Sequence, residues 1–596
     1  MRCLRGGRLA ALAPPTERVE NDRHGRWPGR QLKRPAEASI EASTEVSTEV
    51  SNEASTEASA EASAAARPSE ETMFQMPSSP ERDRIRRIAL GDAVYRSALR
   101  FGERPAVVDG DQRLSYRQLD AASSRFAHFL GREFPQGVQV AMLCANSADM
   151  LVAINGIHKA GNVWVPINTM LDRGQLEYIL RHSEASCLVV DEEFCRQPAT
   201  ATLLAELGLP RVVTRGAPGA GGPTLAQACA GQPDTLPERE IDGDAPALIL
   251  YTSGTTGKPK GVVHSHASAH FGATANLCSF GITERDVITG LLPLFHVGQH
   301  CVTLAAAIGG ASVVVSRGFR PDEVIDDIGR ERISFFVGLP MMYGAILASA
   351  KAPAADFSSL RACVYAMAPM PRALVGRIAE RMCDNILLAT GQTEIYPVTM
   401  SFRPREHPER DANYWGISTI ACETAVMDDA GRLLAPGEVG EIVHRGANVM
   451  LGYFKDPEAT AAAQQFGWHH TGDLGMFDAG GQLLFLDRKK DMIKTGGENV
   501  ASIRVETALL GHPAVAAAAV VGLPHPHWGE AVCAFVVARP GMSCTPQELE
   551  EHCRKTLAKF EVPKLIRQVD ALPMTATGKM QKHVLRRQFE RLYAEA

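Results

Sequence analysis

The 596-residue chain lacks several features that mark particular protein classes. None of its 13 cysteines forms a C-x-x-C pair, which argues against a zinc site or disulfide scaffold and favours reduced thiols in a cytoplasmic enzyme. The formal net charge of −6 lacks the basic excess expected of a nucleic-acid-binding protein. The longest apolar run, residues 301–315, is too short for a membrane span and predicts a buried helix-to-strand segment; peripheral membrane contact stays open.

Residues 1–80 have the composition of a low-complexity tail. Residues 1–35 are rich in Arg, Gly and Pro, and a glutamate recurs at every fourth position from Glu37 to Glu61. A helix would stack these like charges, so we expect a disordered segment. A true translation start at Met73 or Met76 is an alternative interpretation.

Periodic apolar segments begin near Arg82 and alternate between strand and helix patterns. They predict an α/β fold, with parallel-containing sheets in a large N-terminal domain and a small mobile C-terminal α+β domain. We expect a tail at 1–80 and domains at 85–489 and 490–596. The predicted elements are strands at 138–143, 163–167, 187–190, 311–315, 515–521 and 532–537, helices at 149–159, 501–510 and 546–557, and a hairpin at 495–498.

A loop rich in glycine, hydroxyl groups and lysine follows the apolar residues 247–250. Its glycines permit positive φ and close backbone approach, so that successive N–H groups can face one anion. The hydroxyls add donors and the lysines add charge. The pattern predicts a phosphate-binding loop, although its spacing is not that of a P-loop NTPase. Its residues are Thr252, Ser253, Gly254, Thr255, Thr256, Gly257, Lys258, Lys260 and Gly261.

The segment 251–262 resembles the signature loop of the adenylate-forming superfamily, which includes acyl-CoA synthetases, luciferases and peptide-synthetase adenylation domains. The resemblance extends over roughly residues 85–596, with the motifs in the family's order. They are Thr390-Gly-Gln-Thr-Glu394, Gly440-Glu-Ile-Val-His-Arg-Gly446, Gly452-Tyr453, Trp468-His-His-Thr-Gly-Asp473, Asp487-Arg-Lys-Lys-Asp491 and Pro573-Met-Thr-Ala-Thr-Gly-Lys579.

This resemblance implies an ATP site with catalytic residues Lys579, Glu394 and Thr256. Glu394 would hold the Mg²⁺ of MgATP, and Asp473 would accept the ribose hydroxyls with Arg488 beside it. Lys579 would bridge the carboxylate and the α-phosphate as charge develops. The other ATP contacts implied are the loop residues 252–258 and 260, Ala368, Gly391, Gln392 and Thr393.

The small domain resembles the CoA-binding part of the family. Gly496, Gly497 and Glu498 would line the thiol tunnel, and Lys490 would be the hinge. Trp528 and Phe560 would stack on the adenine of CoA with Lys564 on a phosphate, but both aromatic rings are equally typical of a domain core. Glu561 and Val562 occupy positions where basic residues are frequent in the family.

The acid pocket is implied to include His296, Val337 and Met367. Phe295, Val297, Leu339 and Met341 add apolar side chains, which predicts an acid without a second charge. Two residues depart from the family pattern: Thr390 replaces an aromatic residue expected against the ATP adenine, and Met367 replaces a glycine.

The implied activity is an AMP-forming acyl-CoA ligase. It would convert a carboxylic acid, most readily a medium- or long-chain fatty acid, to an acyl adenylate and then to its CoA thioester. The enzyme would act as a monomer or homodimer. The alternatives are a fatty acyl-AMP ligase, an aryl-CoA ligase and a non-catalytic member of the fold.

Overall fold

The protein is described here from a computed structural model, over residues 87–216, 221–252, 258–366, 368–574 and 580–593. The tail expected at 1–80 lies outside these residues. Sixteen α-helices occur in the described ranges. They are α1 Asp92–Phe101, α2 Tyr116–Glu133, α3 Ala148–Lys159, α4 Arg173–His182, α5 Glu192–Cys195, α6 Pro198–Leu207, α7 Leu225–Cys229, α8 His266–Phe280, α9 Val297–Gly309, α10 Pro321–Glu331, α11 Pro340–Ala348, α12 Arg372–Arg381, α13 Pro457–Ala463, α14 Ser502–Leu510, α15 Pro546–Cys553 and α16 Lys582–Phe589.

Twenty-five strands occur in the same ranges, in three sheets. They are β1 Pro105–Asp109, β2 Gln112–Ser115, β3 Gln139–Leu143, β4 Val163–Pro166, β5 Cys187–Asp191, β6 Arg211–Thr214, β7 Pro246–Thr252, β8 Lys260–Ser265, β9 Val287–Gly290, β10 Ser312–Val315, β11 Phe335–Gly338, β12 Ala362–Tyr365, β13 Ile386–Gln392, β14 Ile395–Phe402, β15 Tyr414–Ser418, β16 Glu423–Met427, β17 Gly440–Arg445, β18 Gly452–Tyr453, β19 His469–Phe477, β20 Leu483–Arg488, β21 Ile493–Thr495, β22 Glu498–Val500, β23 Val515–His525, β24 Gly529–Ala538 and β25 Leu565–Gln568.

The largest sheet has the strand order β16-β17-β19-β20-β15-β14-β13-β12-β11-β9-β10-β1-β2. Its central strands β10, β9, β11, β12 and β13 are parallel neighbours. They are buried except at Val287, which begins β9, and at the last three residues of β13. Parallel strands end at one edge of a sheet, where open α/β folds bind ligands. The segments after β11, β12 and β13 therefore share one edge.

The second sheet, β18-β8-β7-β4-β3-β5-β6, contains the predicted βαβ unit. Strands β3 and β4 pair in parallel, Gln139 opposite Val163, and α3 connects them, which confirms the prediction. Strand β7 pairs antiparallel with β8, with Thr252 opposite Lys260. The candidate phosphate loop therefore begins and ends on adjacent strands of one hairpin.

The small C-terminal sheet has the strand order β22-β21-β24-β23, and β25 also pairs with β24, in parallel. The hairpin at the two glycines and the helix α14 confirm the sequence prediction. Strands β23 and β24 are longer than predicted, because β23 is an edge strand and tolerates Pro524. Helix α15 ends at Cys553 rather than at Leu557, since the chain turns there and Leu557 packs into the core of this domain.

Helix α9 and strand β10 confirm the buried helix-to-strand segment. No helix in the described ranges is both long enough and apolar enough to cross a membrane.

Local signals explain several helix starts. Ser115, Ser265 and Thr545 each cap a helix with a reciprocal side chain three residues later.

The large domain buries several neutral histidines between its elements. Burial lowers the pKa of His300 and His444 to about 3, and of His264, His266 and His469 to about 4. His300 Nδ1 lies 2.7 Å from the hydroxyl of Tyr396. Their interior setting accepts the uncharged imidazole and disfavours imidazolium.

We expect these histidines to make the fold acid-labile below pH 6.5. A histidine whose folded pKa is depressed favours folding above its ordinary pKa of about 6.5 and opposes it as the pH falls toward 4. Unfolding at pH 5 should therefore take up about one extra proton for each such residue. His444→Gln should lower that uptake by about one, measured from the pH dependence of urea unfolding.

Equal uptake by wild type and His444→Gln would contradict the assignment of His444 as a buried neutral histidine.

Candidate active site

Glu394 lies in the turn between β13 and β14, at the edge where the parallel strands end. Its carboxylate oxygen accepts a hydrogen bond from the hydroxyl of Tyr453 at 3.0 Å. The ammonium of Lys260 lies 4.7 Å from the centre of the Tyr453 ring. The tyrosine thus connects the carboxylate of one sheet with a cation of the phosphate-loop hairpin.

The turn that carries Glu394 is fixed by backbone contacts on both sides. The carbonyl oxygen of Glu394 accepts a hydrogen bond from the amide of Met450, and the carbonyl oxygen of Thr393 lies 2.7 Å from His264 Nε2. A Cβ at Gly391 would lie 2.6 Å from Cβ of Pro397, so only glycine fits there. The carboxylate is consequently held in a defined place on a half-buried turn.

Asp473 forms a second charged group on β19, beside the first. Gln392 Nε2 donates to its Oδ2 at 2.8 Å, and Nε of Arg488 lies 3.3 Å from its Oδ1. Strands β19 and β20 place Asp473 and Arg488 directly opposite each other. Burial raises the pKa of Asp473 to about 6, while Arg488 and the bond from Gln392 oppose that rise.

Thr390, which stands where the family has an aromatic residue, is on β13. Its hydroxyl oxygen is buried and has no hydrogen-bond partner within the described ranges. Its carbonyl accepts from Thr399 Oγ1 at 3.3 Å. Ala368, on the segment that follows β12, is exposed.

The residues of the expected acid pocket have unequal exposure. Val337 is buried on β11, and His296 is half-buried just before α9. The ring centre of His296 lies 5.1 Å from that of Phe295. Val297 and Leu339 are partly buried against the main core. Met341, by contrast, leaves 73% of its surface exposed, since it lies in the first turn of α11 at the surface.

Several predicted site residues lie outside the described residues, and the structure places none of them. They are Ser253, Gly254, Thr255, Thr256, Gly257, Met367 and Lys579. Of the rest of the phosphate loop, Thr252 ends β7, Lys258 is exposed, and Lys260 begins β8.

The structure brings four of the expected CoA-binding residues together. Gly496 and Gly497 have φ of +60° and +89° in the two-residue turn between β21 and β22, which favours glycine at both positions. The amide of Gly496 donates to the carbonyl of Trp528 at 2.8 Å. The ammonium of Lys564 lies 5.1 Å from the centre of the Trp528 ring. Glu498 is exposed at the start of β22.

The two aromatic residues differ in their environments. Trp528 is partly buried against the second core of the small domain and stacks on His525, with the ring centres 4.3 Å apart. Phe560 leaves 38% of its surface exposed. Its neighbours Glu561 and Val562 are buried: Glu561 pairs with Arg504 at 2.9 Å, and Val562 packs in the core. Their departure from basic residues therefore has a structural reason.

The segment at the domain boundary forms a turn with anchors on both sides. Asp491 N donates to the carbonyl of Arg488 at 2.8 Å, and Lys490 is exposed in this turn. Lys489 pairs with Asp429 at 2.7 Å and with Glu441 at 3.1 Å. On the other side the buried carboxylate of Asp487 accepts from the Ser502 amide and hydroxyl.

Sequence reasoning gave no role to Tyr453, although the motif Gly452-Tyr453 was quoted. The sequence signal for such a role was the aromatic hydroxyl beside the motif glycine. Its partner, Glu394, lies 59 residues away in the chain. It also missed Ser502 and Lys582, which bond to each other at 2.6 Å across 80 residues.

Comparison with known proteins decides the family. Residues 94–454 match the family described as AMP-binding enzyme, and residues 504–579 match the AMP-binding enzyme C-terminal domain. The chain belongs to the AMP-binding enzyme family.

Curated AMP-binding enzymes similar to this chain include several CoA ligases. One from Rhodococcus jostii, named for a propanoyl acid bearing a methyl-dioxo-octahydro-indenyl ring system, is 36% identical over 83% of this chain and 97% of its own. A feruloyl-CoA synthase of Amycolatopsis is 33% identical, covering 85% and 100%. A long-chain fatty-acid–CoA ligase of Mycobacterium tuberculosis is 33% identical, covering 80% and 94%.

Solved structures of AMP-binding enzymes share the fold. An anthranilate CoA ligase in complex with anthranoyl-AMP has a TM-score of 0.76 and 30% identity, covering 85% of this chain and 98% of its own. An o-succinylbenzoate CoA synthetase of Bacillus subtilis, in complex with its acyl-adenylate intermediate, has a TM-score of 0.74 and 30% identity, covering 84% and 98%. The α/β fold with a large N-terminal and a small C-terminal domain is thus confirmed.

We expect nucleoside binding to weaken as the pH falls through about 6. Ribose hydroxyls donate hydrogen bonds to an ionised carboxylate, and the Asp473 pKa of about 6 means that protons compete with them below that pH. The affinity for adenosine, which has no phosphate to titrate, should therefore fall about tenfold per pH unit well below 6.

Asp473→Asn should bind adenosine weakly and with little pH dependence between 5 and 8. Asp429→Asn, which removes an exposed carboxylate paired with Lys489, should keep the wild-type profile. Calorimetric titration across this pH range measures both, and an unchanged profile in Asp473→Asn would refute the role of Asp473.

Proposed function

We propose that this AMP-binding enzyme is an ATP-dependent acid–CoA ligase that prefers a carboxylic acid with an uncharged, apolar acyl group. The first candidates are medium- and long-chain fatty acids. The observation that carries the proposal is the arrangement of Glu394, Tyr453 and Lys260 beside Gln392, Asp473 and Arg488. In this proposal the cation of Lys260 would face the phosphates of a nucleotide, and the carboxylate of Asp473 would accept hydrogen bonds from its ribose hydroxyls.

The first half-reaction joins two anions, so charge neutralisation and alignment decide its rate. The acid carboxylate attacks the α-phosphate of ATP, the bond to pyrophosphate breaks, and an acyl adenylate forms. In the proposed site Lys260, the loop residues 252–258 and Lys579 offset the phosphate charge, while Asp473 and Arg488 hold the nucleoside. Gln392 keeps the Asp473 carboxylate in place by its hydrogen bond.

The donor set fits a Mg²⁺ ion that arrives with ATP. Glu394 offers one half-buried carboxylate, and within the described ranges no group of three or more His, Cys, Asp or Glu side chains could hold a metal by itself. Mg²⁺ commonly takes one or two carboxylates together with substrate phosphates. Glu394 would hold the ion, which would supply further neutralisation of phosphate charge.

The second half-reaction transfers the acyl group to the thiol of CoA and releases AMP. Gly496 and Gly497 present backbone without side chains at the hairpin turn, which would let the pantetheine arm pass. The neighbouring ring of Trp528, the cation of Lys564 and the exposed ring of Phe560 offer stacking and charge to the nucleotide part of CoA. This surface favours a CoA ligase over an enzyme that stops at the adenylate.

The acid side is apolar at the described positions. Val337, Phe295, Val297 and Leu339 offer hydrocarbon, and the ring of His296, just before α9, lies against that of Phe295. A carboxylate buried there without a partner costs several kcal/mol. An acid with a second carboxylate is therefore a poor substrate in this proposal, and Met367 is proposed as a further wall residue.

A panel of acids assayed for AMP formation with and without CoA tests the proposal. We expect octanoate to palmitate to be activated at least about 100-fold faster than dicarboxylic acids of similar length, because of the unpaired charge. Thioester should accumulate only with CoA. Fastest turnover of cinnamate-type acids would identify an aryl-CoA ligase, and adenylate formation with no thioester would identify an acyl-AMP ligase.

We further propose domains at 85–489 and 490–596, with Lys490 as the hinge. The first step needs Lys579 in the site and the second needs the hairpin turn Gly496–Gly497, and both belong to the small domain. Such a domain must rotate between steps. Proline fixes φ near −65°, so Lys490→Pro should keep ATP–pyrophosphate exchange and lose most thioester formation from supplied acyl adenylate.

Lys490→Ala serves as the matched control, because it removes the same side chain without restricting the backbone and should keep both half-reactions. Lys579→Ala should show the reverse of the proline variant, with adenylation lost and the thioester step kept. Equal losses of both steps in Lys490→Pro and Lys579→Ala would contradict the rotation.

A further inference from the structure

Four polar side chains form a connected group at the junction of the two domains, which we call the boundary cluster: Asp487, Ser502, Glu506 and Lys582. The ammonium of Lys582 donates to Ser502 Oγ at 2.6 Å and lies 2.8 Å from Glu506 Oε1. Ser502 Oγ donates in turn to Asp487 Oδ2 at 2.6 Å. The cluster therefore connects the end of β20, the start of α14 and the start of α16.

Each member of the boundary cluster is held by more than one bond. Asp487 also accepts from the amide of Ser502, one of the first N–H groups of α14, which have no partner within the helix. Glu506 Oε1 also accepts from the amide of Val520 on β23 at 2.8 Å. Asp487 and Ser502 are buried, and the side chains of Lys582 and Glu506 are only 10% and 16% exposed. Lys582 pairs directly with Glu506 and reaches Asp487 through the hydroxyl of Ser502.

The cluster lies next to the segment that carries Lys579. Met574 and Met580 form an antiparallel bridge, and Gln581 N donates to the carbonyl of Pro573 at 2.8 Å. These contacts join residues 573–574 to residues 580–581, on either side of 575–579, and we call the joined residues the loop base. Lys582 follows Met580 by two positions, so it anchors the C-terminal side of the loop base.

A second ion pair holds the same helix to the boundary turn. Arg586 lies 2.7 Å from Asp491 Oδ1, and the intervening Leu585 is buried in the small-domain core. Asp491, Ser502 and Glu506 all follow Lys490 in the chain, so α16 is attached to the C-terminal side of the proposed hinge. Rotation about that hinge would carry the loop base with this helix as one body.

We propose that Lys582 is a positioning residue for adenylation, fixing the base of the loop from which Lys579 acts. The proposal rests on the function proposed above. Without the ammonium, Ser502 and Glu506 lose their common donor and the loop base is free to shift relative to the hinge. A displacement of about 1 Å in a catalytic group, caused by a mutation far from the reacting atoms, can cost about 100-fold in rate.

The test compares three variants: Lys582→Met, Lys582→Arg and the control Arg587→Met, which removes one positive charge from the same helix. Arg587 is on the same helix but exposed, so its variant controls for helix and net charge. Lys582→Met should lower ATP–pyrophosphate exchange about 100-fold while keeping thioester formation from supplied acyl adenylate within about threefold. Lys582→Arg, which can still donate to both partners, should recover most of the exchange. Arg587→Met should match wild type in both steps.

A milder variant guards against simple misfolding. Ser502→Ala removes the hydroxyl that joins Lys582 to Asp487 and should lower exchange about tenfold, with the thioester step kept. Equal loss of both half-reactions in Lys582→Met and Ser502→Ala would show a purely structural cluster and overturn the proposal, as would unchanged exchange in Lys582→Met. Wild-type protein without exchange for any acid would instead overturn the proposed function, and the positioning role with it.

Discussion

The antiparallel pairing of β19 with β20 is the constraint on which the rest of the site depends. It sets Asp473 opposite Arg488, and it delivers the chain to the boundary turn one residue later. The same strand end that carries the proposed nucleotide contacts therefore also starts the junction between the domains. A shift of one residue in this register would turn the Asp473 carboxylate to the other face of the sheet and separate it from Gln392.

Buried charge at the junction is matched group by group. Asp487 is neutralised at the start of α14, Glu506 by Lys582, and Asp491 by Arg586. Breaking a buried pair usually costs more than the pair itself contributes, because the remaining charge is left without a partner. Such matching favours the arrangement of α14 and α16 described here over packings that would leave a buried charge without a partner.

Local sequence signals predicted elements well and long-range partners poorly. The βαβ unit, the glycine hairpin and helix α14 follow from periodicity and turn residues. The motifs include Glu394 and Asp473, whose side chains bond to Tyr453 and Gln392 of other motifs. The bond from Tyr453 to Glu394 and that from Lys582 to Ser502 join residues 59 and 80 positions apart, which only tertiary packing brings together. The length of β23 was missed because Gly522 and Pro524 disfavour strands unless the strand lies at an edge.

The candidate acid pocket and the nucleotide contacts come from different strand ends. His296 follows β9 and Leu339 follows β11, whereas Gln392, Glu394, Asp473 and Arg488 belong to β13, the turn after it, β19 and β20. Residues that would recognise the acid can thus change without disturbing those that would bind the nucleotide. One scaffold of this kind could acquire new acid preferences through substitutions in two short segments, which makes residues 295–298 and 337–342 natural positions for directed evolution.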